Sequence, residues 1–278
     1  MLLSRNEIVG LIPAAGEGTR LYPFARAVPK EIYPILGKPV IEHAVENLSL
    51  GGIHKIFLIV GYQKGALMDY LGDGSQFDVN VAYIYQLQRR GLGHAILQAK
   101  EWINTSFVTL LGDSFVEPKS EVVRLIELHK KEKPIATVLL FDVDDPTSYG
   151  IAKMNELQDR SGTIEVMVEK PTIDVAQSYQ VGDRYHALCG FYVFEPEIFN
   201  YIEKTPPGKK NEIQVTDALQ LAIKSGETVC ARILNGKYLD IGKWETVLQA
   251  EKEFLDTVGI NKLIEERERL RKRMNHQL

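Results

Sequence analysis

Residues 14 to 23 read AAGEGTRLYP and follow an apolar run at residues 8 to 12. Gly16 and Gly18 would let backbone amides come close to a phosphate, because neither carries a side chain. Arg20 adds a planar fork of donors, and Lys30, in VPKEIYP, adds a compact charge. Two cations of different shape beside a glycine turn suit a polyphosphate held from two sides. A dinucleotide fingerprint needs a third glycine where Leu21 stands, and the string G-x-x-x-x-G-K-[ST] is absent. Leu21 therefore argues against a nicotinamide-dependent oxidoreductase, and an ordinary strand-to-helix turn remains the competing reading of the loop taken alone.

The longer stretch LIPAAGEGTRLYPFARAVPKEIYPILGKPVI resembles the signature of the sugar-1-phosphate nucleotidyltransferases, G-x-G-[ST]-R-L-x-P-x-T-x-x-x-P-K. The likeness continues in order through GLGHAILQA, LLGDSFVE, SYGIAKM, VEKP, CGFYVF, EIQVTDAL and YLDIGKWETVLQA, covering about residues 8 to 254. Within the family, PKE, GLGHA and EIQVTDAL look most like the bacterial-type UTP:glucose-1-phosphate uridylyltransferases. Ala25 departs from the signature, which has Thr there and so a hydroxyl beside the loop.

The resemblance implies a reaction that joins a nucleoside triphosphate to a sugar-1-phosphate and releases pyrophosphate. The nucleophile is a phosphate oxygen, largely ionised at neutral pH because its second pKa is about 6, so no strong general base is needed. The obstacle is repulsion between two anions, and the remedy is charge neutralisation with in-line positioning. Asp113 of LLGD and Asp240 of YLDIG are implied to meet and bind Mg2+, a hard ion suited to carboxylates and retained waters. Arg20 and Lys30 would neutralise the triphosphate, with Ala14, Ala15, Gly16, Glu17, Gly18 and Thr19 lining it. Lys170 of VEKP would bind the sugar phosphate, and Glu169 would accept hydrogen bonds from sugar hydroxyls.

For the base, Gln86 lies five residues before Gly91, the spacing at which relatives read a pyrimidine edge. An amide both donates and accepts. Gln88 is the alternative register, and His94 is either a ligand contact or a structural residue. Gly150 and Gly190 would admit the hexose to the backbone, with a strand bulge as the other reading. Glu212 and Thr216 fall on the sugar side, and Asp217 is expected as a helix cap. UTP and dTTP share one hydrogen-bonding edge, so a thymidylyltransferase stays open. A noncatalytic subunit of the same fold should have lost some of Arg20, Lys30, Asp113, Lys170 and Asp240, and all five are present.

These residues need a scaffold. Apolar runs predict strands at 8 to 12, 55 to 60, 79 to 85, 107 to 111, 135 to 141, 163 to 168 and 187 to 194. Three- and four-residue spacing predicts helices at 40 to 48, 64 to 71, 95 to 102 and 122 to 130. The alternation implies an α/β fold, and the resemblance refines it to a Rossmann-like, mixed but mainly parallel sheet flanked by helices. One nucleotidyltransferase domain is expected over residues 1 to 254, its nucleotide part to about 141 and its sugar part beyond. EKTPPGKKNE has the composition of an exposed connector. A charged helix is expected over 255 to 278, with Leu263, Leu270 and Met274 on one face and Glu265 paired with Arg269.

The 278 residues, 45% hydrophobic and 25% charged, fit a globular protein rather than a disordered one. A net charge of −4 argues against broad capture of nucleic acid while allowing a local basic pocket. No stretch approaches the roughly 20 apolar residues of a membrane span, and the first residues lack the apolar centre of a secretory signal, so a cytoplasmic location is the default. Cys189 and Cys230 lack metal-ligand spacing and are expected in the core. Family likeness implies a homodimer or homotetramer.

Overall fold

The computed structural model describes residues 7 to 35, 37 to 155, 158 to 261, and 264, 265, 268 and 272. Its N-terminal half is built on β1 (Val9–Pro13), β4 (Lys55–Val60) and β6 (Phe107–Leu110), all nearly continuous apolar runs. Such runs are stable only in a sheet covered on both faces. Between β1 and β4 lie α1 (Phe24–Ala27), the short hairpin of β2 (Pro34–Ile35) and β3 (Lys38–Pro39), and α2 (Val40–Leu50). Helix α3 (Gly65–Leu71), β5 (Asn80–Tyr85) and α4 (Leu92–Leu97) lead to β6. Then follow β7 (Ser114–Glu117), α5 (Ser120–Glu132), β8 (Ala136–Val143), β9 (Gly150–Met154), β10 (Ser161–Glu169), α6 (Ile173–Ala176) and β11 (Tyr185–Phe194). The described elements end with α7 (Ile198–Lys204), α8 (Val215–Lys224), β12 (Val229–Ile233), β13 (Lys237–Asp240) and α9 (Trp244–Val258).

Nine strands form one sheet in the order β5-β4-β1-β6-β11-β8-β12-β10-β9. β5, β4, β1 and β6 are parallel, as expected. The expectation of a mainly parallel sheet fails beyond β6. Strand β11 is antiparallel to β6 and β8, β10 is antiparallel to β12 and β9, and only β8 with β12 is parallel there. β9 also pairs with β11, so β11, β8, β12, β10 and β9 close into a ring. Part of the physical reason lies in the connections: β8, β9 and β10 follow one another with no described helix between them, so the crossover that parallel pairing requires is missing there. The sheet is therefore mixed.

Alternate residues of the parallel strands enter two different cores. Leu11, Phe57 and Ile59 pack with Ala95 and Ile96 of α4, Phe199 of α7 and Ala218 of α8. Ile12, Ile56 and Leu58 pack with Ile41 and Val45 of α2 and Val122 and Leu125 of α5. This period-two division yields helices on both faces. The first cluster also contains Ala152 and Ala231, so the N- and C-terminal parts share one core. Cys189 and Cys230 are buried and free, in keeping with their composition.

Two sequence expectations shift. The helix placed at 95 to 102 is α4, which begins at Leu92 and ends at Leu97; the glycine at 93 weakened the helical pattern but lies against Ile213, where a side chain would not fit. Strands β2, β3, β7, β9, β12 and β13 lie outside the sequence expectations, and each has five residues or fewer. In the charged tail, residues 255 to 258 complete α9, while Leu263, Arg269, Leu270 and Met274 lie outside the described residues. Among the described residues no helix is long and apolar enough to cross a membrane.

Candidate active site

The loop after β1 sits at the carboxyl edge of the parallel strands, where open α/β sheets gather ligands. Ala14 and Ala15 are buried, tying its base to the sheet, while Gly16, Glu17, Thr19 and Arg20 are exposed. Lys30 runs beneath it. A Cβ on Gly16 would lie 3.6 Å from Lys30 Cε, and one on Gly18 would lie 3.2 Å from Lys30 Cβ and Cδ. Gly18 also has φ 69°, which side chains disfavour. Ala25, in place of the signature Thr, is the other neighbour of that position, at 3.1 Å. Gly18 thus admits the lysine under the loop, whereas a side chain at Gly16 would meet it only at ordinary contact distance.

Leu21 explains the missing third glycine. It is fully buried with Phe115 of β7, Ile241 just past β13, and Val247 and Ala250 of α9. The glycine loop is thereby anchored to the β7–β13 pair that holds Asp113 and Asp240. β13 pairs antiparallel with β7, setting Asp240 opposite Ser114, and the Ile241 amide donates to the Asp113 carbonyl at 2.9 Å. A two-stranded ribbon therefore brings the distant Asp113 and Asp240 together.

The charges at this junction are unequal. Lys30 donates to Asp113 in a short ion pair. Burial disfavours the Asp113 carboxylate, but Lys30 overcomes it and holds the group below its ordinary range. Burial likewise opposes the charge on Lys30, yet Asp113, Glu31 and Asp240 raise its pKa. Asp240 goes the other way, pushed up by burial and then by Asp113, with Arg20 and Lys30 only partly offsetting this. Arg20 reaches it loosely, at 3.8 Å, and remains 56% exposed. Gly242, which the sequence reading missed, makes room for both: a Cβ there would stand 2.6 Å from Asp240 Oδ1 and 2.8 Å from Arg20 Nη2.

Fit to a hard divalent cation is tested by this donor set. Among the described residues no group of three or more His, Cys, Asp or Glu side chains could hold a metal ion. Two hard carboxylate donors fit Mg2+, which keeps several waters and commonly takes its remaining ligands from substrate phosphates.

On the base side, Gln86 follows β5 and is only 4% exposed, and its amide nitrogen donates to His94 Nδ1 at 2.8 Å. Gln88 is exposed. Burial, followed by the Arg90 charge, lowers the His94 pKa, which suits a neutral ring accepting from Gln86. His94 thus orients Gln86. Gly91 has φ 93°, and a Cβ there would lie 2.7 Å from the Ile213 carbonyl oxygen. Two backbone bonds, Ile213 to Arg90 at 2.8 Å and Gly93 to Ile213 at 2.9 Å, lace this loop to EIQVTDAL. Gly91 has a packing reason of its own.

The residues expected to bind sugar phosphate also converge. Glu169 ends β10, pairs opposite Gly150 of β9, and accepts from the Thr216 hydroxyl at 2.6 Å. A Cβ on Gly150 would collide with Thr216 Oγ1 and stand 2.9 Å from Glu169 Oε2. Lys170 turns out of the strand with φ 42° and meets Glu169 at 2.7 Å. Gly190, at φ 78°, lies within the register shift of β11, the bulge that was its other reading. Asp217 is not the cap of α8. Gln214 holds that position without a side-chain cap bond, and Asp217, two residues inside the helix, faces Gly208 instead.

The nucleotidyl transferase family model matches residues 9–257. The chain is 34% identical over 255 residues to the low-salt glycan biosynthesis nucleotidyltransferase Agl11 of Haloferax volcanii, a match covering 91% of this chain and 68% of that protein. It is 33% identical over 257 residues to a UTP--glucose-1-phosphate uridylyltransferase of Staphylococcus haemolyticus, covering 84% and 87%. A crystal structure of UDP-glucose pyrophosphorylase complexed with UDP-glucose superposes with a TM-score of 0.80 at 30% identity, covering 90% of this chain and 99% of that one.

Proposed function

The chain belongs to the nucleotidyl transferase family, and from that premise we propose that it transfers a uridylyl group from UTP to glucose-1-phosphate, yielding UDP-glucose and pyrophosphate, with Mg2+ as cofactor. The observation that carries the reading is the β7–β13 ribbon, which joins Asp113 and Asp240 beside Lys30 and the glycine loop. Similarity to a uridylyltransferase and to a UDP-glucose-bound pyrophosphorylase favours the uridine nucleotide.

In this reading Gln86 hydrogen-bonds the uracil edge while His94 holds its amide in orientation. The loop from Ala14 to Thr19 wraps the phosphates, and Lys30 and Arg20 neutralise charge that builds on the departing pyrophosphate. Lys170 exchanges Glu169 for the sugar phosphate, and the freed Glu169, still bonded to Thr216, accepts from sugar hydroxyls. Asp113 and Asp240 would hold Mg2+, which would supply Lewis-acid charge for the phosphoryl oxygens. No residue need remove a proton from the nucleophile, because the sugar phosphate is already largely dianionic at neutral pH.

The test is pyrophosphate release with glucose-1-phosphate against UTP, dTTP, CTP, ATP and GTP, each with and without excess chelator. UTP should lead, and chelator should abolish turnover. Asp113→Asn and Asp240→Asn should each lower kcat by about a hundredfold or more. No release with any triphosphate would end the enzymatic reading, a preference for dTTP would replace uridylyl with thymidylyl, and full activity in chelator would remove the metal.

A further inference from the structure

Directly behind Lys30 lies an ion pair that the proposed reaction does not use. Glu31 is 0% exposed and Lys64 5% exposed, and Lys64 Nζ donates to Glu31 Oε2 at 2.7 Å. Lys64 comes from the connection between β4 and α3, and its carbonyl accepts from the amides of Leu67 and Met68 in the first turn of α3. Glu31 shares a single 3-10 turn, Lys30–Ile32, with Lys30. Its stem is wedged at the sheet edge: a Cβ on Gly112 would be 3.3 Å from Glu31 Cγ and 3.4 Å from Ala14 Cβ. The Glu31 stem thus lies beside Gly112, the residue before Asp113, with Ala14 at the base of the glycine loop on the same corner.

Stability alone does not account for this pair. Removing two charges from water costs several kcal/mol per ion, and well-packed apolar residues of similar volume are commonly as stable or more so. The second oxygen, Glu31 Oε1, is buried without a hydrogen-bond partner among the described residues, a further cost that an apolar side chain would avoid. What the pair does supply is direction. Successive residues of a 3-10 turn point about 120° apart, so pinning Glu31 inward fixes the azimuth at which Lys30 leaves the turn. That azimuth carries Lys30 under Gly16 and Gly18 to Asp113.

We propose that the buried Glu31–Lys64 pair is a positioning device that locks the Lys30 turn against the phosphate loop and the Gly112–Asp113 corner. The inference rests on the reading of Lys30 as the cation for the triphosphate. Neither Glu31 nor Lys64 touches substrate; both act through Lys30.

The decisive variant is Glu31→Met with Lys64→Met, which removes both charges and leaves none unpaired. Steady-state kinetics with UTP and glucose-1-phosphate, thermal unfolding, and the rate at which acetic anhydride labels Lys30, followed by peptide mass spectrometry, are measured together. The double variant should melt within a few degrees of wild type, label Lys30 about tenfold faster, and lose about tenfold in kcat with little change in the KM for glucose-1-phosphate. Wild-type labelling and wild-type kcat in a folded double variant would overturn the proposal. Should that variant not fold, Glu31→Asp keeps both charges but shortens the arm, and it must show the same two changes. If the wild-type protein turns over no substrate, the functional reading falls and Lys30 labelling alone decides the positioning role.

Discussion

At the residue scale, buried polar groups are the informative ones, because each must have a partner or a reason. Gln86 illustrates this. A solvent-facing glutamine in that loop would be bland, but Gln86 is buried and oriented by His94, so its remaining amide capacity is directed and not diffuse. Gln86→Leu should raise the KM for UTP about tenfold while changing kcat less, since the base contact is made equally in ground and transition states. Steady-state kinetics across UTP concentrations checks this, and an unchanged KM would remove Gln86 from the base pocket. Gly242 makes the complementary point: its lack of a side chain gives Asp240 and Arg20 their shared space.

At the element scale, the β7–β13 ribbon is supported from α2. His43 of that helix packs edge-on against Phe115 of β7, with centroids 5.0 Å apart, and its Nε2–H donates to the Ile35 carbonyl at 2.9 Å. Burial, aided by the nearby Lys38 and Lys119 charges, lowers its pKa from 6.5 to about 4, against the raising effect of the Ile35 carbonyl. The folded state thus resists a proton that the unfolded chain accepts. Above about pH 6.5 the group has no effect on stability. As pH falls from about 6.5 to about 4 it destabilises the fold progressively, by about 3 kcal/mol at the lower end. Urea unfolding of wild type and His43→Gln at pH 7.5 and 4.5 measures it, since Gln keeps the donor without the titration. Equal acid sensitivity in the two proteins would refute the assignment.

At the scale of the whole molecule, the proposed substrate-contacting residues are spread over strand ends from both parts of the chain, and one apolar cluster runs through both parts. Ligand binding should therefore stabilise the fold globally. UTP with Mg2+ at a hundredfold excess over its Kd should add about 2.7 kcal/mol to the unfolding free energy, or roughly 5 °C in Tm for a chain of this length. Differential scanning fluorimetry reads the shift directly, and a Tm indifferent to UTP would argue that the nucleotide is not bound by the native state.

Much of this was legible in the residues themselves. The parallel strands β1, β4 and β6 announce themselves because a strand buried on both faces must be nearly apolar throughout, and β4 covers the span 55 to 60 expected of it. The glycine loop, Arg20 and Lys30 stand in a local motif whose chemistry is carried by residue type, whereas a shared role for the two aspartates came only from the family resemblance. Strands β9, β12 and β13 were not legible, since a strand of four or five residues draws its stability from neighbours that are distant in sequence. For the same reason the antiparallel pairing beyond β6 escaped composition and periodicity.

The sequence by itself determined which groups are available: two cations, two carboxylates, a glutamine and a loop with two glycines. Only the tertiary structure decided that Asp113 and Asp240 share one corner, that Leu21 anchors the loop to their ribbon, and that Glu31 and Lys64 close a buried pair behind Lys30. Motif chemistry is local, whereas meeting across the chain depends on strand register and packing, and these are properties of the whole core.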